Sequence, residues 1–380
     1  RDTDRSRGLG DVYKRQLYNN INQNCMCLHQ QQISAFAGQR VKIKRDEFDM
    51  NIYDISKQAG VSIATVSRVL NGSDKVSPAT REKVLKVMEQ NSYTPNAFAR
   101  SLGLNSMHTV GILCADSSDV YLASAIYYLE RELRYHSYAS MLCCTGYQLE
   151  EKKKYLQLLL SRNVDALFFV GSNFVEDTEK NNAYLFEAAG KVPVFILNGY
   201  LAGDNIHSVL CDDSLAVSEM TDTLIKRGSR SPVYLYRSLS YSGKRKLAGF
   251  QEACEKNGIS DGKRRAFSCP APVHDTMTFL AGLEKDLTFD ACITADDELA
   301  VGAVKYALSQ GKKIPAEFQV TGYNNSLLSI CSTPEITTVD NRVEFMCTTA
   351  VSLLMQVLDG KDIPARTMFS ADLIHRETTN

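Results

Sequence analysis

From Thr109 onwards the sequence alternates short apolar runs with longer amphipathic stretches, and this alternation restricts the fold more than any other feature. Nine runs have the length of strands: TVGILCA (109–115), YASMLCC (138–144), DALFFVG (165–171), PVFILN (193–198), HSVLCD (207–212), PVYLY (232–236), RAFSC (265–269), ACITA (291–295) and FQVTGY (318–323). Strands that alternate with helices predict parallel sheets with helices on both faces. Two successive series predict an α/β fold with two lobes, each built on a doubly wound parallel sheet.

A different pattern precedes this region, in the stretch Ile52–Gly72. The segment Ile52–Ala59 has one apolar helical face, and Gly60 can adopt the left-handed conformation that ends a helix. Ser62 is suited to cap a second short helix. This layout is typical of a helix-turn-helix, whose second helix enters the major groove of DNA. The alternative is an ordinary helical hairpin inside a larger domain.

The second helix of this motif leaves several side chains facing outward, and these are suited to contacts with DNA. Arg68 can bind a guanine edge or a phosphate, and the apolar side chains can contact a thymine methyl group. The short hydroxyl side chains suit phosphate oxygens. From this motif we expect DNA contacts by Ser62, Ile63, Ala64, Thr65, Ser67, Arg68 and Asn71.

Three segments carry a resemblance to a known family: YDISKQAGVSIATVSRVLNG (53–72), VSPATREKV (76–84) and YTPNAFARSL (93–102). In order and spacing they resemble the head and hinge of the lactose-repressor (LacI/GalR) family of bacterial transcription regulators. The resemblance extends from about residue 50 to the end of the chain. It implies a sequence-specific DNA-binding regulator, typically a repressor, that acts as a homodimer on a near-palindromic operator. It also implies allosteric control by a small-molecule effector, a sugar or sugar derivative, and a cytoplasmic protein that joins the nucleoid when bound to DNA.

The resemblance further implies a domain organisation. We expect a three-helix head at 50–94, a hinge helix and linker at 95–108, and a two-lobed effector-binding and dimerisation domain at 109–380. The latter resembles periplasmic sugar-binding proteins, and the chain should change lobes near residues 211 and 340. In the hinge, Asn96 is placed to cap a short helix. Leu102 stands where family members insert a leucine into the central step of the minor groove.

Residues 1–49 do not resemble any part of this family. They are polar, show little periodicity and lack a Met at position 1, whereas Met50 stands where family members usually begin. We therefore expect a disordered, non-native leader. The alternative is a basic arm that adds affinity for DNA, since the segment holds nine Lys and Arg against six Asp and Glu.

Polar residues at the predicted strand ends are the candidates for the effector site, because ligands of such folds bind outside the strand ends. They are Asp116, Tyr121, Asn198, Lys246, Asp296, Asn324 and Asn341. By motif, Lys246, Asp296 and Asn324 fall where family members contact their effector. The family usually has Arg in place of Lys246 and Asp in place of Asn324, so the planar fork and one negative charge are lost. This difference suggests a more anionic effector, such as a sugar acid or a sugar phosphate. An alternative role for Asp296 is to begin a helix, where acidic residues are favoured.

The distribution of charge agrees with a DNA-binding head on a separate sensor. Residues 50–103 hold seven Lys and Arg against four Asp and Glu, whereas residues 104–380 hold 27 against 34. An acidic body resists lying on DNA, so that only the head is attracted. A nucleoid-type binder would need a more basic body.

Composition excludes several other classes of function. No run of 18 apolar residues exists and no segment resembles a secretory signal, so neither a membrane protein nor an exported transport protein is expected. Eleven cysteines lie mostly in apolar runs, which is typical of reduced cysteines in the cytosol. The motif Cys25-Met-Cys27-Leu-His29 has no second pair at a finger spacing, so we expect no metal. Because no catalytic motif is present, we expect neither an enzyme nor a cofactor.

Overall fold

The computed structural model describes residues 51–70, 73–91, 93, 106–269 and 273–380. The expected leader at 1–49, Asn71, and the hinge residues Asn96 and Leu102 lie outside the described residues. The described residues up to Tyr93 belong to one compact unit, and those from Ser106 onwards belong to a second.

The described residues of the smaller unit form three helices: α1 (Ile52–Ala59), α2 (Ile63–Leu70) and α3 (Pro78–Gln90). Their inner faces form one apolar core, made by Ile55, Ala59, Val66, Val69, Val84 and Met88. All three helices contribute to this core, so α1 and α2 are held as a pair by α3. The first helix has the bounds predicted from the sequence, and the second begins directly after its predicted cap, Ser62.

Local hydrogen bonds fix the ends of these short helices. The Asn51 side chain accepts a hydrogen bond from the backbone N–H of Asp54 at 3.2 Å, and the Asp54 carboxylate accepts one from the N–H of Asn51 at 3.0 Å. This reciprocal capping box starts α1. Gly60 ends it with φ +60°, a left-handed conformation that glycine adopts without strain. The Ser62 hydroxyl accepts from the N–H of Thr65 at 3.1 Å and so starts α2.

The larger unit consists of alternating strands and helices. Its first series is β1 (Thr109–Cys114), α4 (Val120–Tyr135), β2 (Ala139–Cys144), α5 (Leu149–Ser161), β3 (Ala166–Val170), α6 (Ala183–Ala189), β4 (Val194–Leu197) and β5 (Ile206–Cys211). Its second series is α7 (Asp213–Lys226), β6 (Pro232–Tyr236), α8 (Tyr241–Lys256), β7 (Ala266–Ser268), α9 (Val273–Leu283), β8 (Ala291–Thr294), α10 (Asp297–Ser309), β9 (Gln319–Tyr323), α11 (Leu327–Cys331) and β10 (Thr337–Asp340). The chain ends with α12 (Val343–Leu358), β11 (Arg366–Phe369) and β12 (Asp372–Ile374).

These strands form two six-stranded sheets, one in each lobe. The strand order is β11-β5-β4-β3-β1-β2 in the first lobe and β12-β10-β9-β8-β6-β7 in the second. Every pair is parallel except β10 with β12. The chain passes to the second sheet after Cys211, returns to the first after Asp340, and passes to the second again between Phe369 and Asp372. The predicted fold class, a helical head followed in the chain by two doubly wound parallel sheets, is confirmed.

All nine predicted apolar runs form strands, but the last three strands were not predicted. β10 is four residues long and begins with two threonines, and β11 and β12 are short strands with exposed side chains. Such segments lack the apolar run that marks a strand covered on both faces. Their pairing depends on long-range contacts with β5, β9 and β10, which a local pattern does not contain.

Each sheet is buried by helices on both faces, so each lobe has two apolar layers. In the first lobe Phe168 packs with Phe195 on one side of the sheet, while Phe169 packs with Phe174 on the other. All five residues of β3 are buried. A strand covered on both faces needs a continuous apolar sequence, and this is why ALFFV is easily recognised as a central strand.

Helices α7 and α8 pack closely in the second lobe, and Gly249 permits this close packing. A Cβ atom added at Gly249 would stand 2.1 Å from the carbonyl oxygen of Ser214 in α7. We expect Gly249→Ala to lower the free energy of unfolding by about 1–3 kcal/mol, because one of the two helices must shift. Urea unfolding followed by circular dichroism measures this change.

Gly282→Ala is the matched control. Gly282 lies near the end of α9, and a Cβ atom there has open space around it. Alanine should raise stability by roughly 0.5–1 kcal/mol, because glycine loses more backbone entropy in a helix. Equal effects of the two substitutions would contradict the packing argument.

Candidate functional site

A cavity of about 310 Å³ lies between the two lobes of the larger unit. Its lining comes from segments that follow the carboxyl ends of strands in both sheets, where ligands of parallel α/β folds bind. The first lobe contributes Asp119, Tyr121, Leu122, Tyr147, Gly171, Ser172, Asn173 and Asn198. The second lobe contributes Arg237, Ser238, Ser240, Ser242, Gly243, Lys246, Ala295, Asp296 and Asn324.

Of the seven effector-site residues predicted from the sequence, five line this cavity: Tyr121, Asn198, Lys246, Asp296 and Asn324. Asp116 does not, because it is engaged in a turn. Its carboxylate accepts hydrogen bonds from the Ser118 backbone N–H at 2.8 Å and hydroxyl at 2.7 Å, and these bonds lower the pKa of Asp116. Asn341 is fully buried and supports the site from behind, because its Nδ2 donates to Asn324 Oδ1 at 3.0 Å.

Most of the hydroxyl groups in the lining were not among the residues predicted from the sequence, and neither was Arg237. This arginine directly follows Tyr236, the last residue of β6. The rule that selected the other candidates, a polar residue at the end of a predicted strand, would have selected Arg237 as well. The serines on either side of Tyr241 belong to the start of α8, where Ser240 caps the helix by accepting from the N–H of Gly243.

Arg237 forms the main ion pair of the site. Its Nε lies 2.8 Å from Asp296 Oδ2, its Nη2 donates to Asp296 Oδ1 at 3.1 Å, and Nη2 also pairs with Glu298. Asp296 has a second task, because its Oδ1 accepts from the N–H of Leu299 at 2.9 Å and caps α10. Burial raises the pKa of the Asp296 carboxyl, and the Arg237 guanidinium opposes that rise. Both proposed roles of Asp296, helix cap and cavity wall, are therefore compatible.

Lys246 is buried at the base of α8's first turns, with 7% of its surface exposed. Its Nζ donates to the carbonyl oxygen of Ala295 at 2.9 Å and lies 3.5 Å from the centre of the Tyr323 ring. An ammonium group over an aromatic face is attracted by the ring quadrupole. Burial lowers the pKa of Lys246, and the nearby Asp213 carboxylate opposes this change.

Asp213 is itself fixed by two short hydrogen bonds. It accepts from the Tyr323 hydroxyl at 2.6 Å and from the Ser242 hydroxyl at 2.6 Å. Asp213 is the first residue of α7, directly after the chain leaves the first lobe. The polar network around Lys246 therefore connects the cavity to a crossing between the lobes.

Besides Arg237 Nε, which lies beside the Asp296 carboxylate, two buried polar atoms of the cavity residues lack a hydrogen-bond partner among the described residues. They are the Tyr121 hydroxyl and Asn198 Oδ1. Buried polar groups nearly always have a partner, since an unpaired one costs about 1–3 kcal/mol. The two atoms come from different strand ends of the first lobe. A ligand that offers one donor and one further polar group would satisfy both.

The two lobes also touch each other directly at the edge of the cavity. The hydroxyl oxygens of Ser172 in the first lobe and Ser240 in the second lie 2.8 Å apart. Asp177 and Lys244, five and four residues further along, form an ion pair across the same gap. These contacts hold the loop after β3 against the start of α8.

In the smaller unit, the predicted DNA-contacting residues lie on one surface of α2. Ser62, Ala64 and Arg68 are exposed, and Ile63 is 40% exposed although it is apolar. The remaining two described members, Thr65 and Ser67, are half-buried. The opposite face of the helix carries Val66 and Val69 into the core. An exposed isoleucine at the start of a helix is the kind of side chain that can contact a thymine methyl group.

Membrane-spanning helices and metal sites are absent from the described ranges. None of the helices there has both the length and the apolar composition needed to cross a bilayer. No group of three or more His, Cys, Asp or Glu side chains within the same ranges is arranged to hold a metal ion.

Comparison with known proteins identifies both units. The sequence profile of the bacterial regulatory proteins of the lacI family matches residues 51–96, and that of the periplasmic binding protein-like domain matches residues 221–379. An HTH-type transcriptional regulator of Lachnoclostridium phytofermentans is 51% identical over 332 residues, which cover 87% of this chain and 100% of that protein.

Two solved structures share the fold at low sequence identity. A lac repressor dimer bound to its operator and the anti-inducer ONPF has a TM-score of 0.78 and 22% identity, over 87% of this chain and 99% of that one. The complex of the transcriptional regulator CelR with cellobiose has a TM-score of 0.62 and 22% identity over the same shares. The expectation of a regulator instead of an enzyme is confirmed by the relatives. The chain belongs to the lacI family of bacterial regulatory proteins, and it is a DNA-binding transcriptional regulator with a periplasmic-binding-protein-like effector domain.

Proposed function

We propose that this regulator is a repressor, that it binds a near-palindromic operator as a homodimer, and that a sugar or sugar derivative controls its affinity for DNA. The observation that carries the proposal is the cavity between the lobes, where the Tyr121 hydroxyl and Asn198 Oδ1 are buried without a partner among the described residues. A polar ligand that pairs with these atoms removes the cost of leaving them buried without a partner, and this favours binding.

The DNA-binding part of the proposal assigns base reading to α2. Its first turn exposes Ile63 and Ala64, and Arg68 follows one turn later. We assign apolar contacts to the first two residues and a guanine or phosphate contact to Arg68. The hydroxyls of Ser62, Thr65 and Ser67, with Asn71, Asn96 and Leu102, complete the proposed set. A two-fold dimer requires two half-sites related by the same symmetry, as the lac repressor dimer on its operator illustrates.

The effector part of the proposal follows from the chemistry of the lining. Four serines and three asparagines surround the cavity, and the aromatic rings are those of Tyr121 and Tyr147. Hydroxyl and amide groups can pair with several sugar hydroxyls, while an aromatic ring can pack against the apolar face of a sugar ring. The complex of CelR with cellobiose provides a related example.

Control of DNA binding requires that the effector bind one arrangement of the lobes better than another. Both lobes line the cavity, and the contacts Ser172–Ser240 and Asp177–Lys244 join them at its edge. A ligand that changes the separation of these segments changes the angle between the lobes. We propose that this angle sets the geometry of the two heads in the dimer.

Selection of bound sequences from a random DNA pool with the full chain tests the proposal. We expect a motif with two-fold symmetry about a central step. A motif without two-fold symmetry, or no enriched motif, would contradict the proposal that a homodimer binds a near-palindromic operator. The selected motif can then be placed over a promoter in a reporter strain. Expression of the reporter should fall when the protein is supplied. A rise in expression would contradict the proposal that the regulator is a repressor.

Arg68→Ala should weaken binding to the selected operator by about 1–3 kcal/mol and relax base preference at one position, because a bidentate contact is lost. Fluorescence anisotropy with the operator and its single-base variants measures both effects. Lys86→Ala is the control, since it removes one exposed positive charge from α3. Lys86→Ala should leave base preference unchanged. If Arg68→Ala has the same operator affinity and base preference as the unchanged protein, Arg68 does not contact the operator.

Tyr121→Phe should leave the ligand-free protein as stable as before or more stable, because an unpaired buried hydroxyl is removed. The same substitution should weaken the response of the operator complex to the carbohydrate that a thermal-shift screen selects. Tyr234→Phe is the matched control, since its hydroxyl is also buried and unpaired among the described residues but does not line the cavity. An equal loss of effector response in both variants would contradict a direct contact from Tyr121.

A further inference from the structure

The charged groups of the cavity restrict the class of effector. Among the described residues, four charged side chains line it: Asp119, Arg237, Lys246 and Asp296. Their formal charges cancel. Whether a ligand meets a net positive or negative site therefore depends on how each cation is already paired.

Neither cation of the cavity is available as a free positive charge. Arg237 faces two carboxylates, Asp296 and Glu298, so that this group of three has a formal charge of −1. Lys246 donates to a backbone carbonyl oxygen and is attracted by the buried Asp213. A carboxylate or phosphate placed in the cavity would compete with these existing partners.

A small side pocket next to the cavity strengthens the restriction. Its volume is about 30 Å³, and it shares Asp119, Tyr121, Arg237, Asp296 and Asn324 with the main cavity. Two further carboxylates, those of Asp297 and Glu298, line it. Among the described residues, Arg237 is the only cationic side chain that lines this side pocket. Like charges brought together in a partly buried site are strongly unfavourable, so an anionic substituent is excluded from this pocket.

Arg237 nevertheless retains donors for a ligand. A guanidinium has five N–H donors in a fixed plane. Its Nε and Nη2 face the carboxylates, and Nη1 makes no hydrogen bond with a described residue. Because two carboxylates fix the plane, the remaining N–H groups have a defined direction before a ligand binds, which lowers the cost of ordering. A hydroxyl oxygen can accept from Nη1 and donate its own proton to a nearby acceptor.

We propose that Arg237 determines the effector specificity of this regulator, and that the effector is an uncharged polyhydroxyl ligand instead of a sugar acid or sugar phosphate. This inference rests on the proposed function and defines its ligand more narrowly. It replaces the anionic effector that Lys246 and Asn324 suggested in the sequence. Lys246 is already engaged in buried contacts. Arg237, which was not predicted from the sequence, is already paired with two carboxylates.

Binding of neutral carbohydrates and their anionic counterparts to the full chain tests whether the effector is uncharged. The probes are glucose, galactose, mannose and cellobiose, together with glucuronate, galacturonate and the 6-phosphates of the three monosaccharides. Thermal shift identifies the binding members, and isothermal titration calorimetry measures their affinity. We expect at least one neutral sugar to bind, and its charged counterparts to bind more weakly by about tenfold or more, or about 1.4 kcal/mol. An anionic probe that binds as tightly as the neutral one, or more tightly, would overturn the inference.

Two substitutions test the role of Arg237 itself. Arg237→Lys keeps the charge but removes the planar fork, and we expect it to weaken binding of the neutral sugar by about tenfold. Glu298→Gln removes one carboxylate and should narrow the affinity difference between the neutral sugar and its anionic counterpart. Arg237→Lys thus tests whether the guanidinium donates to the ligand, and Glu298→Gln tests whether the carboxylates exclude an anion.

Arg245→Lys is the matched control. Arg245 also pairs with an aspartate, Asp212 at 3.1 Å, but it does not line the cavity. Its substitution should leave sugar affinity and selectivity unchanged. Sugar binding that persists unaltered in Arg237→Lys would overturn only the present inference. If no probe binds while the full chain still binds its operator, the proposal of a sugar effector fails, and this inference fails with it.

Discussion

A parallel sheet brings the carboxyl ends of its strands to one edge, and the cleft of this protein is built from two such edges. The described strands form one six-stranded sheet in each lobe, and among their pairings only β10–β12, in the second lobe, is antiparallel. The residues just after β1, β2, β3 and β4 therefore face those after β6, β8 and β9 across one cavity. Every polar side chain of the proposed effector site depends on this arrangement, and changes in the following loops alter the site without altering the fold.

The sequence contained enough information to predict the two sheets and the helical head. Apolar runs such as that of β3 identify strands that are buried on both faces, and capping residues such as Ser62 identify helix starts. The same rules do not detect β10, β11 and β12. All three strands are short. β10 is mostly buried but contains two threonines and an aspartate in four residues, and the side chains of β11 and β12 are partly or fully exposed. Pairing with distant strands defines them.

The candidate site was predictable in position but not in detail. The strand-end rule places a residue near the cleft but does not give the direction of its side chain. Asp116 follows β1 as expected, yet it closes a turn with Ser118. Asn341 follows β10, but it is buried against Asn324. The pairing of Arg237 with Asp296 joins residues 59 positions apart, and no local pattern contains such a contact.

The close contact between α7 and α8 has a mechanical consequence for signal transmission. Gly249 leaves no space between the helices, so α8 cannot slide along α7 without a clash against the Ser214 carbonyl group. The first turns of α8 carry Ser242 and Lys246 to the cleft, whereas α7 begins at Asp213, where the chain has just left the first lobe. A displacement of α8 by a ligand would therefore be passed on to α7 instead of being taken up by sliding between the two helices. Because α7 begins at the connection between the lobes, the contact at Gly249 couples the cleft to that connection.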